Sequence, residues 1–373
     1  YCNREGNNLQ SGIVTSLMLA PDTSKVVDAA SAAHAPVGCF ECDEMYTKYV
    51  LPRLRPHYFM LLNLFRDQLD RFGEIDRIQA TIAEALAKTP ETTFVFNGDD
   101  PLCAAIADRI PNKSLAFGIA SDMGLSADRI SDSRFCQKCG GALEYDYVHY
   151  GQLGAYRCPD CGWARPELAF AATNMRLEED GFVFDIDGRS VHTGHTGAYM
   201  VYNVLAAYAI SKLSSIVPFE NYQAAVREYH PTNGRLQTFD LGERKVMTNL
   251  AKNPTGFNQN IRIVLNERGR VLALFVNDND ADGHDVSWFW DIDFERWSQI
   301  EGLRAFVGGT RANDMQVRLK YAGIQAEIVE NVADVLAATS ANDGKVYIIA
   351  NYTALPAVRR ELEGLEAAAK GEE

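Results

Sequence analysis

The sequence predicts an α/β protein: a mostly parallel sheet covered by helices, interrupted by a small four-cysteine ribbon and followed by a second α/β block. Three observations carry that prediction. Short apolar runs alternate with helical periodicity over the first third of the chain. Cysteine, glycine and tyrosine then dominate from about Asp132 to Pro166. Beyond Lys245 the alternation of strands and helices resumes.

Taken in order, Gln10 to Ala20 reads as a helix and Val37 to Cys42 as a buried strand ending in acids. Tyr58 to Leu64 is another strand. Glu74 to Lys88 is an amphipathic helix, with Ile75, Ile78, Ile82 and Ala85 at helical spacing, and Thr92 to Phe96 and Ser114 to Ile119 are strands. Ala169 to Val191 alternates apolar and polar residues with turns at Asp180-Gly181 and Asp187-Gly188, which predicts antiparallel strands. Ala198 to Leu213 is a strongly apolar helix. The second block has strands at Val271 to Val276, Ala305 to Gly308, Ala326 to Val329 and Val346 to Ala350. The expected division is 1–240, with the ribbon inserted at about 132–166, and 245–373.

The 373 residues are 47% apolar and 23% charged, enough apolar mass for two cores. Net charge is −14, which repels nucleic acid and anionic lipid unless a local basic patch exists. Arg53-Leu54-Arg55-Pro56-His57 is too short for one and reads as a solvated face. No apolar run reaches membrane-spanning length and no export signal is visible, so a cytoplasmic location is expected. The chain begins at Tyr1 rather than Met and is expected to be a fragment.

Four of the eight cysteines fall as Cys136-x2-Cys139 and, 18 residues on, Cys158-x2-Cys161. Each two-residue gap makes a knuckle that aims both sulfurs at one ion, and two knuckles complete a thiolate tetrahedron around zinc. Four protein ligands leave no open position, so the expected role is structural. Two disulfides would need an oxidising compartment, for which the chain shows no signal. Arg134, Lys138, Arg157 and Arg165 are balanced by Asp132, Glu144, Asp146 and Asp160, so the ribbon has no electrostatic reason to bind phosphate backbones. Cys39 and Cys42 read as buried strand cysteines instead.

Around the ribbon lie Asn63-Leu64-Phe65-Arg66-Asp67-Gln68-Leu69-Asp70-Arg71-Phe72-Gly73-Glu74-Ile75-Asp76, Asn97-Gly98-Asp99-Asp100-Pro101, Gly197-x5-Asn203 before Leu205-Ala206-Ala207, and Gly234-Arg235. These resemble the signatures of the Mur ligases. The ribbon, with Ala251-Lys252-Asn253-Pro254 and Asn277-Asp278-Asn279-Asp280-Ala281-Asp282-Gly283-His284-Asp285, narrows the resemblance to the MurT family. It implies a Mur ligase central domain and a Rossmann-like C-terminal domain. It also implies ATP-dependent amidation of the α-carboxyl of D-Glu in the lipid II stem peptide to D-isoglutamine. Ammonia would come from a GatD-type glutamine amidotransferase partner and attack an acyl phosphate.

By the same resemblance, Glu41 would ligate Mg2+ bridging the ATP phosphates, with one of Asp43 and Glu44 behind it. Asn63 would lie near the phosphates, and Asn97, Asp99 and Asn203 near the base. Arg235 would contact the phosphates, a task that suits a planar fork. Asp285 would complete a Cys-His-Asp triad with the partner, and the ribbon would stand away from the ATP chemistry. Taken singly, Glu41 also reads as an ordinary acidic strand end, the asparagines and Arg235 as solvated surface residues, and Asp285 as part of a solvated acidic loop. Asp278-x-Asp280-x-Asp282-Gly283 copies the opening of a calcium loop, but the twelfth position is Phe289 where Glu is required, which excludes calcium. Gln68 and Met200 depart from the residues usual in amino-acid-adding relatives. No G-x4-G-K-[ST] phosphate loop occurs, and it is expected upstream of Tyr1. The rival readings are a Mur or folylpolyglutamate-type ligase that adds an amino acid without a glutaminase, and a non-enzymatic zinc-ribbon binding protein.

Overall fold

The structure is a computed structural model and describes residues 1–3, 6–19, 37–66, 75–129, 131–231 and 234–371. Gln68 and the middle of its motif lie outside the described residues.

After helix α1 (Gln10–Met18) and helix α2 (Thr47–Leu54), the chain builds strand β1 (Tyr58–Leu61), helix α3 (Ile75–Ala87), β2 (Thr93–Asn97), helix α4 (Pro101–Ala107) and β3 (Ser114–Ile119). A hairpin, β4 (Glu144–Tyr150) and β5 (Leu153–Arg157), rises from the ribbon. Then come β6 (Leu168–Glu178), β7 (Gly181–Ile186), β8 (Arg189–His192), helix α5 (Ala198–Ser214) and helix α6 (Phe219–Glu228). Strands β1, β2, β3 and β6 pair in parallel, with β7 and β8 added antiparallel, in the order β1-β2-β3-β6-β7-β8.

The burial pattern explains the parallel centre. Phe94, Val95 and Phe96 are all buried, as a strand covered on both faces requires. Alternate side chains go to opposite sides: Phe94 and Phe96 pack with Ile82, Leu86 and Ile106, and Val95 with Phe117, Val201 and Leu205. Helix α5 is apolar nearly all round because it is buried from Ala198 to Ala209 on most sides.

The second sheet has the order β13-β12-β11-β14-β10-β9, parallel except for its edge strand. Its elements are β9 (Gln237–Asp240), β10 (Lys245–Leu250), helix α7 (Pro254–Asn266), β11 (Val271–Phe275), β12 (Arg304–Gly308), helix α8 (Ala312–Tyr321), β13 (Ala326–Ile328), helix α9 (Val332–Ala338), β14 (Val346–Ala350) and helix α10 (Leu355–Lys370). It has its own cores, one around Phe257, Phe289, Phe294 and Trp297, the other around Phe306, Val346, Ile348 and Leu362. No helix among the described residues is long and apolar enough to cross a membrane.

Two expectations are corrected. Val37 to Cys42 is not a buried strand. Residues 37–43 form no regular element, Val37 and Cys39 are exposed and Cys42 is half-buried. The run is short, contains Gly38 and pairs with no strand among the described residues. Its backbone pairs instead with the first residues: the Tyr1 ammonium donates to Val37 O at 2.6 Å and Cys39 N donates to Tyr1 O at 3.0 Å. The strand after Pro56 also stops early, at Leu61, because Leu64 N turns to donate to Asp100 Oδ2 at 2.8 Å.

The two sheets are joined by a buried ion pair. Asp128, in the segment leading from β3 to the ribbon, accepts from Arg262 Nη2 of α7 at 2.7 Å, with Arg296 at 3.8 Å; its other oxygen accepts from Gly151 N at 2.7 Å. Asp128 is 2% and Arg262 8% exposed, so removing one partner strands a buried charge. Asp128→Ala is expected to lower unfolding free energy by about 3–5 kcal/mol in urea titrations. Glu91→Ala, at an exposed surface pair with Arg55, is the comparison and should cost under about 1 kcal/mol.

Candidate functional site

The ribbon repeats one local design twice. Cys136 N donates to Gly141 O at 2.7 Å and Gly140 N donates to Cys136 O at 2.9 Å; Cys158 N donates to Trp163 O at 2.6 Å and Gly162 N donates to Cys158 O at 3.0 Å. Gly140 and Gly162 have φ of 78° and 76°, the left-handed turn that closes each knuckle and that glycine adopts without strain. All four sulfurs lie within 4.8 Å of one another, with Cys136–Cys161 at 3.6 Å and Cys139–Cys158 at 3.5 Å. A zinc tetrahedron with Zn–S of about 2.3 Å has an edge of roughly 3.8 Å, so the sulfurs fit one ion. Among the described residues no other cluster of cysteine, histidine and carboxylates does.

The ribbon has no core of its own. Cys136, Tyr156, Cys158 and Trp163 pack with Phe94, Phe96 and Ile106, while Tyr150 and Leu153 pack with Val95 and Phe117.

The residues singled out from the sequence gather mainly where the first sheet's parallel strands end, the edge at which open α/β sheets bind ligands. Asn97 is the last residue of β2. It is fully buried: its Oδ1 accepts from Asp99 N at 3.0 Å, and its Nδ2 has no hydrogen-bond partner among the described residues. Asp100 caps α4, accepting from Leu102 N at 3.0 Å, and Pro101 starts the helix where a missing N–H costs nothing. Asn253-Pro254 repeats that design at the start of α7 in the second sheet.

Asp99 is entirely inside. Its carboxylate accepts from Arg165 Nη1 at 3.0 Å, Tyr202 OH at 2.8 Å and Ile119 N at 2.8 Å. Gly118 makes this possible, since a Cβ there would lie 2.5 Å from Asp99 Oδ1. Burial pushes the Asp99 carboxyl up to about 6 against the pull of Arg165, and burial does the same to Asp100.

Asn63 is half-buried, one residue before the Leu64 that bonds Asp100. Asn203 is exposed on α5, next to Tyr202, with Nδ2 3.8 Å from Met200 Sδ. Arg235 is exposed just before β9 and acts on Tyr199 in the first turn of α5; burial raises that phenol, while its bond to Asn249 and the Arg235 charge oppose the rise. Glu41 stands apart from this edge's strands. It lies in the irregular segment corrected above, where Asn3 brackets its backbone and Asn8 Nδ2 reaches its Oε1 at 3.3 Å.

At the corresponding edge of the second sheet, the Asp-rich loop after β11 is pinned by its own acids. Asp278 accepts from Thr310 Oγ1 at 2.7 Å and pairs with Arg311 at 2.7 Å. Asp282 accepts from Thr353 N at 2.9 Å and from its hydroxyl. Asn277 and Asn351 exchange bonds of 3.0 and 2.7 Å. Asp285 is exposed at the end of this scaffold. Its Oδ1 accepts from Ser287 N at 2.8 Å, and the Ser287 backbone and hydroxyl hold its carboxyl below the usual range.

A cavity of about 800 Å³ also opens between the β6–β7 turn and the second sheet, lined by Glu178, His195, His230, Glu267 and Lys345 among others; none of the residues singled out from the sequence lines it. Sequence reasoning missed Gln152, which touches both Leu64 O and Asp100 from the ribbon's hairpin turn.

Comparison with known proteins bears on both sheets. Residues 25–211 match the family model of the Mur ligase middle domain, and residues 250–355 match that of the MurT ligase C-terminal region. The chain is 32% identical over 365 residues to the lipid II isoglutaminyl synthase (glutamine-hydrolyzing) subunit MurT of Staphylococcus aureus, covering 96% of this chain and 80% of that one. It is 33% identical to the Streptococcus pneumoniae subunit of the same name, covering 95% and 78%. Among solved structures it is similar to a pseudomurein peptide ligase type C from Methanothermus fervidus (TM-score 0.65, 19% identity, 90% of this chain and 70% of that one). It is also similar to MurF from Acinetobacter baumannii (TM-score 0.66, 15% identity, 99% and 70%).

Proposed function

The chain belongs to the MurT family of Mur-type ligases, and from that premise we propose that it is the ligase subunit of a glutamine-dependent synthase that amidates the D-Glu α-carboxyl of the lipid II stem peptide. The observation that carries this reading is similarity over 96% of the chain to a relative named for that activity.

The chemistry divides between the two sheet edges. At the first, ATP would transfer its γ-phosphoryl group to the carboxylate, forming a C–O–P linkage and releasing ADP. Asn97 fits a role at the nucleotide because its buried Nδ2 has a donor to give and no partner among the described residues. Asn63, Asp99, Asn203 and Arg235 surround the same edge or the first turns of α5. Glu41 offers an exposed carboxylate, a hard oxygen ligand suited to Mg2+, which would neutralise phosphate charge. Ammonia then attacks the acyl carbon, the C–O bond breaks, and phosphate leaves with the amide formed. At the second edge, Asp285 would meet a GatD-type glutaminase that releases the ammonia. The four cysteines would hold a structural zinc.

The test supplies the full-length gene product with ATP, lipid II and ammonium, without any glutaminase. Expected products are ADP, phosphate and lipid II bearing a carboxamide. Incorporation of an amino acid in place of ammonia, or ATP binding with no amidation, would overturn the reading.

A further inference from the structure

We infer that the zinc ribbon's β4–β5 hairpin positions the nucleotide-binding edge of the first sheet, with Gln152 as its principal positioning residue. The inference rests on the proposed reading of that edge.

The ribbon is tied to the edge at three points, one of them in the hairpin turn. Gln152 Nε2 donates to Leu64 O at 2.7 Å and approaches Asp100 Oδ1 at 3.4 Å. Gly154 N donates to Asp99 O at 3.0 Å. Arg165, just past the last knuckle, holds the Asp99 carboxylate at 3.0 Å, together with Ile119 O and the Tyr147 hydroxyl. The contacts therefore fall on Leu64, next to Asn63, and on Asp99 and Asp100, two and three residues past Asn97, in the two loops that follow β1 and β2.

Packing alone does not account for them. Gln152 is 1% exposed, and its Oε1 has no hydrogen-bond partner among the described residues. A buried amide satisfied on one side only contributes little net stability of its own, so its worth lies in the acceptors it serves. What Gln152 adds is direction: Leu64 O is held from the ribbon while Leu64 N is held by Asp100, so both groups of one peptide residue are fixed. Tyr145 OH in turn donates to Gln152 O at 3.1 Å, tying the turn to the body of the hairpin. The cysteines bracket that body, since Cys139 precedes β4 and Cys158 follows β5 directly. One zinc ion thus fixes the base of a lever whose tip sets the two edge loops.

The experiment uses the full-length protein in the ammonium-dependent reaction. Gln152→Met keeps length and burial but removes the donor; Arg165→Lys keeps charge but removes the fork. Arg157→Ala, at an exposed ribbon pair with Glu144, is the control. For both positioning variants the KM for ATP is expected to rise about tenfold, with the ammonium KM within about twofold of wild type, zinc content retained and the melting temperature lowered by only a few degrees. The control should match wild type throughout. An unchanged ATP KM with zinc retained overturns the inference alone. A joint fall in zinc content, melting temperature and all kinetic constants overturns it too, since that marks a purely structural role. A wild-type protein that binds no ATP overturns both the inference and the reading beneath it.

Discussion

Replacing Asp285 with Asn is expected to abolish glutamine-dependent amidation while leaving ammonium-dependent amidation within about twofold of wild type. The substitution is isosteric, so the loop should keep its shape: Asp278 still pairs with Arg311, Asp282 still accepts from Thr353, and the Asn277–Asn351 exchange is untouched. What is lost is charge. A carboxylate that orients a histidine accepts its N–H and stabilises the imidazolium as the neighbouring thiol gives up its proton. An amide in the same place favours the wrong tautomer and offers no counter-charge. In serine-protease triads the corresponding change costs roughly 10⁴ in kcat, and a drop of that order is expected here. The position is suited to the task, because a carboxyl held below its usual range is ionised throughout the neutral region. Equal loss of both activities would show instead that Asp285 supports the ligase fold or its carboxylate substrate, and the shared-triad role would fall.

The legible parts of the fold were those with local causes. Phe94–Phe96 and Ala116–Ile119 are buried on both faces, so their apolar runs announced parallel strands without reference to anything distant. The cysteine spacing announced a metal site because each knuckle is closed by bonds within six residues. Val37 to Cys42 misled because an apolar run becomes a strand only beside another strand, and here the first residues of the chain take its hydrogen bonds. The asparagine and aspartate motifs before Pro101 and Pro254 were recognisable, and their local physics is helix capping. Their partners were not recognisable. Gln152 lies 88 positions from Leu64, and Asp128 lies 134 from Arg262, so no window of sequence contains both ends of either contact. The ribbon's own long-range contacts were hidden for the same reason: Gln152 in its hairpin turn bonds Leu64 after β1, and Arg165, read from sequence as charge balance, is clamped on Asp99.

Removing zinc, by Cys158→Ser or by a strong chelator, is expected to produce the largest loss of stability. Zinc binding is worth on the order of 10–16 kcal/mol in small zinc peptides, where it stands in for a core. Part of that is offset here, because Tyr156 and Trp163 pack on the first sheet and Trp163 Nε1 donates to Asp108 at 2.8 Å. The remainder still dominates: without the ion, Cys136 and Cys158 are buried thiols facing two exposed ones across less than 4.8 Å, and Cys139 and Cys161, the exposed halves of the knuckles, have no core contact to hold them. Even half the peptide value, about 5–8 kcal/mol, is comparable to the whole stability of a small domain, so the ribbon should unfold and carry Tyr156 and Trp163 out of the first core. The second sheet should survive, since its cores around Trp297 and Phe306 contain no ribbon residue. Trp163 alone among the four tryptophans belongs to the ribbon, the other three being Trp288, Trp290 and Trp297. In a Trp163-only variant, Cys158→Ser should therefore shift emission to that of a solvated indole at room temperature, with zinc content falling to zero. In a variant keeping only Trp297, emission should stay that of a buried ring. A native-like Trp163 signal in the zinc-free protein would show that packing, not metal, holds the ribbon, and would remove the ion from the proposed positioning of the first sheet's edge.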